Sequence, residues 1–170
     1  MKKRVLLLGT FVLLFAGAIV IYVFDINLKY DVGQKIDSFN GVAVFYNGKI
    51  KNVHGRALTE NGYNIGLKYQ CVEFVKRYYY EALDHKMPNT YGHAKDFFIS
   101  GLKDGQINTQ RNLVQYTNPS ESKPKKHDLI VYAETPYNKY GHVSIVSKVN
   151  DKRVEIIQQN AGLYGKRSRR

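Results

Sequence analysis

The spacing of apolar residues changes between the middle and the end of this chain. From Lys68 to Leu83 it follows one face of a helix, and the stripe consists of Cys71, Phe74, Val75, Tyr78 and Ala82. Three later runs, DLIVYA, HVSIVSKV and RVEIIQQN, are rich in β-forming residues and are separated by a glycine-containing loop and the turn NDK. A helical pattern followed by neighbouring antiparallel strands indicates an α+β fold.

Weaker patterns predict the elements around these. GVAVFYNGKI (residues 41–50) predicts a strand that opens a hairpin at Asn47-Gly48, HAKDFFISGL (93–102) a second, shorter helix, and NLVQYT (112–117) a strand. The weakly periodic segment 25–40 is predicted to be a stalk, and residues 41–170 a single domain. The apolar content of 44% suffices for one packed core.

The first 24 residues carry a membrane-targeting pattern. KKR precedes twenty uncharged residues, Val5 to Phe24, which is about the length that a helix needs to cross the hydrocarbon layer. A cleavable signal peptide has a shorter apolar core, although Ala16-Gly17-Ala18 offers small residues for cleavage. We therefore expect one transmembrane signal anchor, with residues 25–170 on the extracytoplasmic side of the cytoplasmic membrane. A cleaved and secreted chain is the alternative.

The chain is strongly basic, with 26 Lys and Arg against 14 Asp and Glu and a formal net charge of +12. A basic surface favours anionic partners, which include lipid, cell-wall polymer and nucleic acid. Nucleic acid would explain the charge but not the apolar first segment, so it is not expected as a partner. The single cysteine has no internal disulfide partner, and its thiol is therefore available for chemistry.

This cysteine, Cys71, has two interpretations. A lone cysteine on an apolar helix face can be a small core residue. In the first turn of a helix, however, backbone N–H groups and the helix dipole favour the thiolate, which would make Cys71 a nucleophile. Its own backbone N–H and the side chain of Gln70 could then stabilise an oxyanion.

A cysteine nucleophile needs a base, and the chain has five histidines. His142 begins a strand whose apolar residues face one side, so His142 and Ser144 share the other side. The remaining candidates lie in predicted loops or at the ends of elements, where surface positions are common: His54, His85, His93 and His127.

The residue that orients the imidazole is expected on the strand that follows. If NDK is a three-residue connection, His142 pairs with Asn160 and Ser144 pairs with Gln158, so that all four share one face. A register shifted by one residue would bring Gln159 there instead.

Three segments resemble the CHAP family of cysteine, histidine-dependent amidohydrolases and peptidases: YQCVEFVKRYY around Cys71, GHVSIV around His142, and the later VEIIQQN. With GVAVFYNG they look most like the amidase domain of glutathionylspermidine synthetase/amidase. The resemblance covers residues 41–162 and implies a papain-like α+β fold, with helices packed on an antiparallel sheet. It also implies Cys71 as nucleophile and His142 as general base and then acid, with no metal and no cofactor.

Two features depart from that family. Its third catalytic member is a carboxylate at the position of Gln158, so either Gln158 or Asn160 is expected to orient His142, and an amide adds no negative charge. The chain also stops at GKRSRR, where relatives continue into further strands. A minimal or truncated domain of this kind is expected to expose a sheet edge.

These observations predict a membrane-anchored cysteine amidase or peptidase that acts through a thioester. Outside the cytoplasmic membrane, peptidoglycan peptides are the abundant amides, and they are the expected substrate. A glutathionylspermidine-type amidase that acts on a small amide is the alternative enzyme. A non-catalytic CHAP-like domain that binds anionic cell-wall polymer is the alternative from another class.

Overall fold

The computed structural model describes residues 2–23, 29–162 and 168–170. It divides into two compact units, Met1–Asp31 and Val32–Arg170. The first unit contains helix α1, Lys2–Val23. Among the residues described, no helix combines the length and the apolar character needed to cross a membrane. The structure thus gives no support to the transmembrane helix predicted over residues 5–24.

The second unit begins with a hairpin. Strands β1 (Lys35–Phe39) and β2 (Val42–Phe45) pair antiparallel around Asn40-Gly41, whose φ angles of 46° and 85° suit a type I′ turn. The strand predicted after residue 41 thus pairs with the chain before it, and not through a hairpin at Asn47-Gly48. Part of segment 25–40 forms β1 where a stalk was predicted, because apolar side chains of β1 pack on the core.

A second hairpin leads into the main helix. Strands β3 (Arg56–Leu58) and β4 (Asn64–Leu67) pair antiparallel, and helix α2 (Cys71–Leu83) follows. Gly66 in β4 passes so close to α2 that a Cβ there would lie 3.1 Å from the Cα of Glu73. Three residues of the predicted stripe are completely buried, namely Phe74, Val75 and Tyr78. Burial of a large apolar side chain contributes about 1.5–3 kcal/mol.

The second predicted helix is only one 3₁₀ turn, Ala94–Phe97. The buried side chains of Asn108 and Arg111 donate hydrogen bonds to the carbonyls of Phe97 and Asp96, respectively. A longer helix would have used these carbonyls itself, so the prediction over 93–102 is corrected by tertiary contacts. The strand predicted over 112–117 is reduced to β6 (Leu113–Val114), which pairs with β5 (Ile107–Asn108).

The three β-rich runs form one antiparallel sheet in the order β7-β8-β9, which confirms the α+β prediction. The strands are β7 (Leu129–Tyr132), β8 (His142–Asn150) and β9 (Arg153–Ile157). Side chains of the sheet and of α2 share one core, which includes Val143, Ile145, Ile157, Phe74 and Val75.

Near His142, strands β8 and β9 are aligned in the predicted register. The turn and the bulge that produce this register differ from the prediction. Ile145 faces Ile157, as it would if His142 and Ser144 were aligned with Asn160 and Gln158. The connection has two residues and not three, and a bulge between Val146 and Lys148 restores the offset. The β9 strand ends at Ile157, so the predicted pair of His142 and Asn160 is not formed.

The outer edge of β9 has a partner among the described residues. Arg169 forms an antiparallel bridge with Ile157. The sheet edge that was expected to be exposed is therefore covered at this point, since residues 168–170 satisfy backbone groups of β9.

Candidate active site

Cys71 is the first residue of α2, directly after the N-cap residue Gln70. The backbone N–H groups of Val143, Val72 and Cys71 act on its thiol in the direction that favours the thiolate. The last two belong to the first helical turn, where N–H groups have no acceptor inside the helix. Val143 directly follows His142 in β8. The sulfur therefore lies at the start of the strand that carries the imidazole.

Burial raises the pKa of the Cys71 thiol, and hydrogen bonds from the N–H groups of Val143, Val72 and Cys71 offset this only in part. The thiol is thus neutral at pH 7, whereas the helix start alone favours a thiolate. The residue is partly buried and packs against the core. Cys71 therefore packs against the core, and its thiol is also close to backbone N–H donors.

His142 is held at the start of β8 by its contact with Gln158. Its Nε2 lies 2.9 Å from Oε1 of Gln158. Because an amide oxygen only accepts, Nε2 carries the proton of the neutral ring and Nδ1 has the free lone pair. Burial lowers the pKa of His142, although the hydrogen bond to Gln158 acts in the opposite direction. The ring is thus a neutral base at pH 7.

Two further contacts fix the surroundings of this imidazole. The ring of Tyr132, which faces His142 across β7 and β8, lies with its centroid 5.8 Å away. Gly141 precedes His142 with a φ of 69°, and a Cβ there would lie 2.5 Å from the carbonyl oxygen of Tyr132. Only glycine fits this approach of the two strands.

The site thus contains a thiol, a neighbouring imidazole and an amide that orients the ring. A family model described as CHAP domain matches residues 60–160. The chain belongs to the CHAP family. CHAP domains are usually cysteine amidohydrolases.

Two proteins of Crithidia fasciculata are similar to this CHAP domain. Trypanothione synthetase is 31% identical over 105 residues, which is 62% of this chain and 16% of that protein. Glutathionylspermidine synthase is 31% identical over 104 residues, 58% of this chain and 14% of that protein. The chain therefore spans only a small part of the length of either relative.

In this CHAP domain, Asn160 contacts Gln70 and not His142. Asn160 Nδ2 donates to Oε1 of Gln70 over 2.6 Å and to the carbonyl of Ile50 over 2.9 Å. Gln70 Nε2 in turn donates to the carbonyl of Asn52 over 2.7 Å and approaches that of Ile50 at 3.5 Å. The side-chain donors of Gln70 are thus directed at the backbone of residues 50–52. Oxyanion stabilisation by the backbone N–H of Cys71 stays a prediction.

Gln159, which was expected at the site only in a shifted register, instead links β2 to the first turn of α2. Its Oε1 accepts from the N–H of Phe45 at 2.7 Å, and its Nε2 donates to the carbonyl of Gln70 at 3.0 Å and to Oε2 of Glu73 at 2.7 Å. Glu73 also pairs with Arg77. Glu73 and Arg77 were not predicted from the sequence, although residues four apart on a helix face neighbour each other and can form an ion pair.

Each of the other histidines has a contact of its own. His54 lies 3.1 Å from the carbonyl of Asn47, His85 lies 2.8 Å from that of Arg111, His127 lies 2.7 Å from the hydroxyl of Tyr78, and the ring of His93 packs on Tyr140. Within the described part of the chain, no group of three or more His, Cys, Asp and Glu is arranged to hold a metal ion.

Proposed function

We propose that this CHAP domain is a membrane-anchored cysteine amidase or peptidase that hydrolyses amide bonds through a thioester. One observation carries the proposal: Cys71 packs against the core cluster that contains Val143, the residue directly after His142, whose imidazole lies 2.9 Å from Oε1 of Gln158. A nucleophile, a base and a residue that holds the base are the parts that this chemistry needs.

The directions of the two pKa shifts support one order of proton transfers. Both groups are neutral, so His142 Nδ1 accepts the thiol proton as the sulfur bonds to the amide carbon. The backbone N–H of Cys71, which has no acceptor inside the helix, is the proposed donor to the oxyanion. When the C–N bond breaks, the imidazolium returns the proton to the leaving amine. His142 then deprotonates a water that cleaves the thioester, which releases a carboxylic acid and restores the thiol.

The proposed substrates are peptidoglycan stem or cross-bridge peptides. This choice rests on the N-terminal targeting pattern, since an anchored domain outside the cytoplasmic membrane meets these amides in abundance. The net charge of +12 favours binding to an anionic wall. We further propose that residues 5–24 hold the protein in the cytoplasmic membrane, which fractionation and protease accessibility of residues 25–170 in intact cells would test.

Digestion of purified peptidoglycan by the full chain tests the activity. Mass spectrometry of the released fragments should show new amine and carboxyl termini. Cys71→Ser and His142→Ala should each lower the rate by about 10³-fold or more. His85→Ala is the matched control and should retain the rate, because His85 contacts the backbone of Arg111. Equal digestion by the wild-type chain and Cys71→Ser would refute the mechanism.

A glutathionylspermidine-type amidase is the second enzymatic candidate, and the two relatives from Crithidia fasciculata favour it. The same set of variants incubated with glutathionylspermidine distinguishes the two substrates. Release of glutathione without any peptidoglycan fragments would support this second candidate. A chain that binds peptidoglycan but cleaves neither substrate would be the non-catalytic binding domain, for which the missing carboxylate at Gln158 is the relevant feature.

A further inference from the structure

Residues 168–170 lie along the outer edge of β9. Ile156 donates its N–H to the carbonyl of Arg170 at 2.9 Å, and Arg170 donates its N–H to the carbonyl of Ile156 at 3.1 Å. The N–H of Gln158 donates to the carbonyl of Ser168 at 2.8 Å. These three bonds hold the main chain of β9 and of the residue that follows it, Gln158.

The side chain of Arg169 attaches this segment to β1 as well as to β9. Its Nε and one terminal nitrogen donate to the two carboxylate oxygens of Asp37 at 3.0 and 3.3 Å. The same terminal nitrogen donates to the carbonyl of Ser38 at 3.0 Å, and the other one to Glu155 at 3.1 Å. One guanidinium thus joins β1 to β9 through a bidentate and a single contact.

The pKa of Asp37 is consistent with its ion pair with Arg169. Burial raises the pKa of Asp37, but hydrogen bonds from Ser38, Ser168 and Arg169 outweigh that effect and leave its pKa below the ordinary value. The side chain of Arg169 is 41% exposed, so salt partly screens these pairs. Several contacts to one planar guanidinium nevertheless order it better than an isolated surface pair would.

We propose that Arg169 is a positioning residue for the active site. By holding residues 168–170 on β9, it fixes the main chain of Gln158 and thereby keeps His142 in one tautomer, with the proton on Nε2. Its effect on turnover rests on the proposed function, but its effect on the imidazole does not.

The test compares variants of the full chain by ¹⁵N NMR with labelled histidine, beside steady-state kinetics. The signals of His142 are assigned as those that disappear in His142→Ala. In the wild type, these signals should show a protonated Nε2. Arg169→Ala should give a mixture of both tautomers, as is also expected of Gln158→Ala, and lower kcat by about tenfold with little change in KM. Arg170→Ala is the matched control and should keep the wild-type spectrum, because residue 170 pairs through its backbone.

The outcomes separate the two proposals. A wild-type tautomer in Arg169→Ala, with or without a lower melting temperature, would overturn the positioning role. A changed tautomer in a chain that hydrolyses no substrate would support the positioning role and count against the proposed activity. Arg169→Lys keeps the charge without the bidentate contact and should give an intermediate mixture, so it serves as the test variant if Arg169→Ala does not fold.

Discussion

Oε1 of Gln158 lies 2.9 Å from Nε2 of His142, so an amide and not a carboxylate faces the imidazole. A glutamine orients the ring and selects its tautomer, but it adds no charge that would stabilise an imidazolium. Burial lowers the pKa of His142, and the hydrogen bond to Gln158 offsets this only in part. Burial of both side chains therefore favours the neutral imidazole and the neutral thiol.

The first prediction concerns Gln158→Glu. A carboxylate beside the ring favours the charged imidazole, so the pKa of His142 should rise by about one unit or more. An imidazolium also stabilises the thiolate, and alkylation of Cys71 by iodoacetamide near pH 6.5 should become faster. Histidine NMR titration and alkylation rates measure the two effects. Gln158→Met, which is neutral, should leave the pKa low; an unchanged pKa in Gln158→Glu would argue against the contact.

The second prediction concerns Gln159, whose amide is completely buried and makes three hydrogen bonds. Gln159→Ala removes them and leaves the N–H of Phe45 and the carboxylate of Glu73 with fewer partners. We expect a loss of about 2–4 kcal/mol in the free energy of unfolding, measured by urea denaturation. Gln110→Ala is the control and should stay within about 0.5 kcal/mol, since Gln110 is exposed. Equal losses in the two variants would contradict the assigned role.

The third prediction compares two glycines with similar backbone angles. Gly141 has a φ of 69° and Gly105 one of 83°, but an added Cβ would meet the carbonyl of Tyr132 at 2.5 Å only at Gly141. Gly105→Ala should cost about 1–2 kcal/mol for the backbone alone. Gly141→Ala should cost at least about 2 kcal/mol more, and it should lower hydrolysis because it displaces the neighbouring His142. Thermal unfolding and activity assays of both variants give the difference.

The fourth prediction concerns Lys76, which is buried in α2 and donates to the carbonyls of Asn64 and Thr90. Burial, with the nearby charges of Arg111 and Arg56, lowers its pKa to about 8. The unfolded chain then binds more protons than the folded one between about pH 8 and pH 10.5, so stability should rise with pH in this range.

Lys76→Met removes this titration. The wild-type chain should gain about 1–2 kcal/mol relative to Lys76→Met between pH 8 and pH 10, as measured by urea denaturation at each pH. A difference between the two proteins that is constant with pH would show that Lys76 is charged in the fold throughout this range.

Features with a local cause were predictable from the sequence. Apolar spacing predicts the strands around His142 and a helix from Lys68 to Leu83 with Cys71 in its first turn; the observed helix is Cys71–Leu83, and His142 begins β8. Features that depend on distant contacts were not predictable. Asn40-Gly41 and Asn47-Gly48 carry the same local turn signal, and only the packing of β1 on the core selects the first.

The chemistry of the site likewise has a part that is predictable from local sequence and a part that depends on distant contacts. The dipole of α2 and the free N–H groups of its first turn are visible in the sequence, and they favour a thiolate at Cys71. The loss of hydration around the sulfur depends on the surrounding fold, and this effect is larger. The choice between Gln158 and Asn160 likewise depends on where β9 ends, because the chain turns after Ile157 and directs Asn160 to Gln70.

The bulge in β8 lies between Val146 and Lys148. Because of it, the length of the turn at Asp151-Lys152 does not by itself determine how β8 and β9 are aligned near His142. A residue inserted at Asp151-Lys152 in a related protein could be balanced by the loss of the bulge, with His142 still beside Gln158. The tip of this hairpin is thus free to diverge in length among homologues while the active centre keeps its geometry.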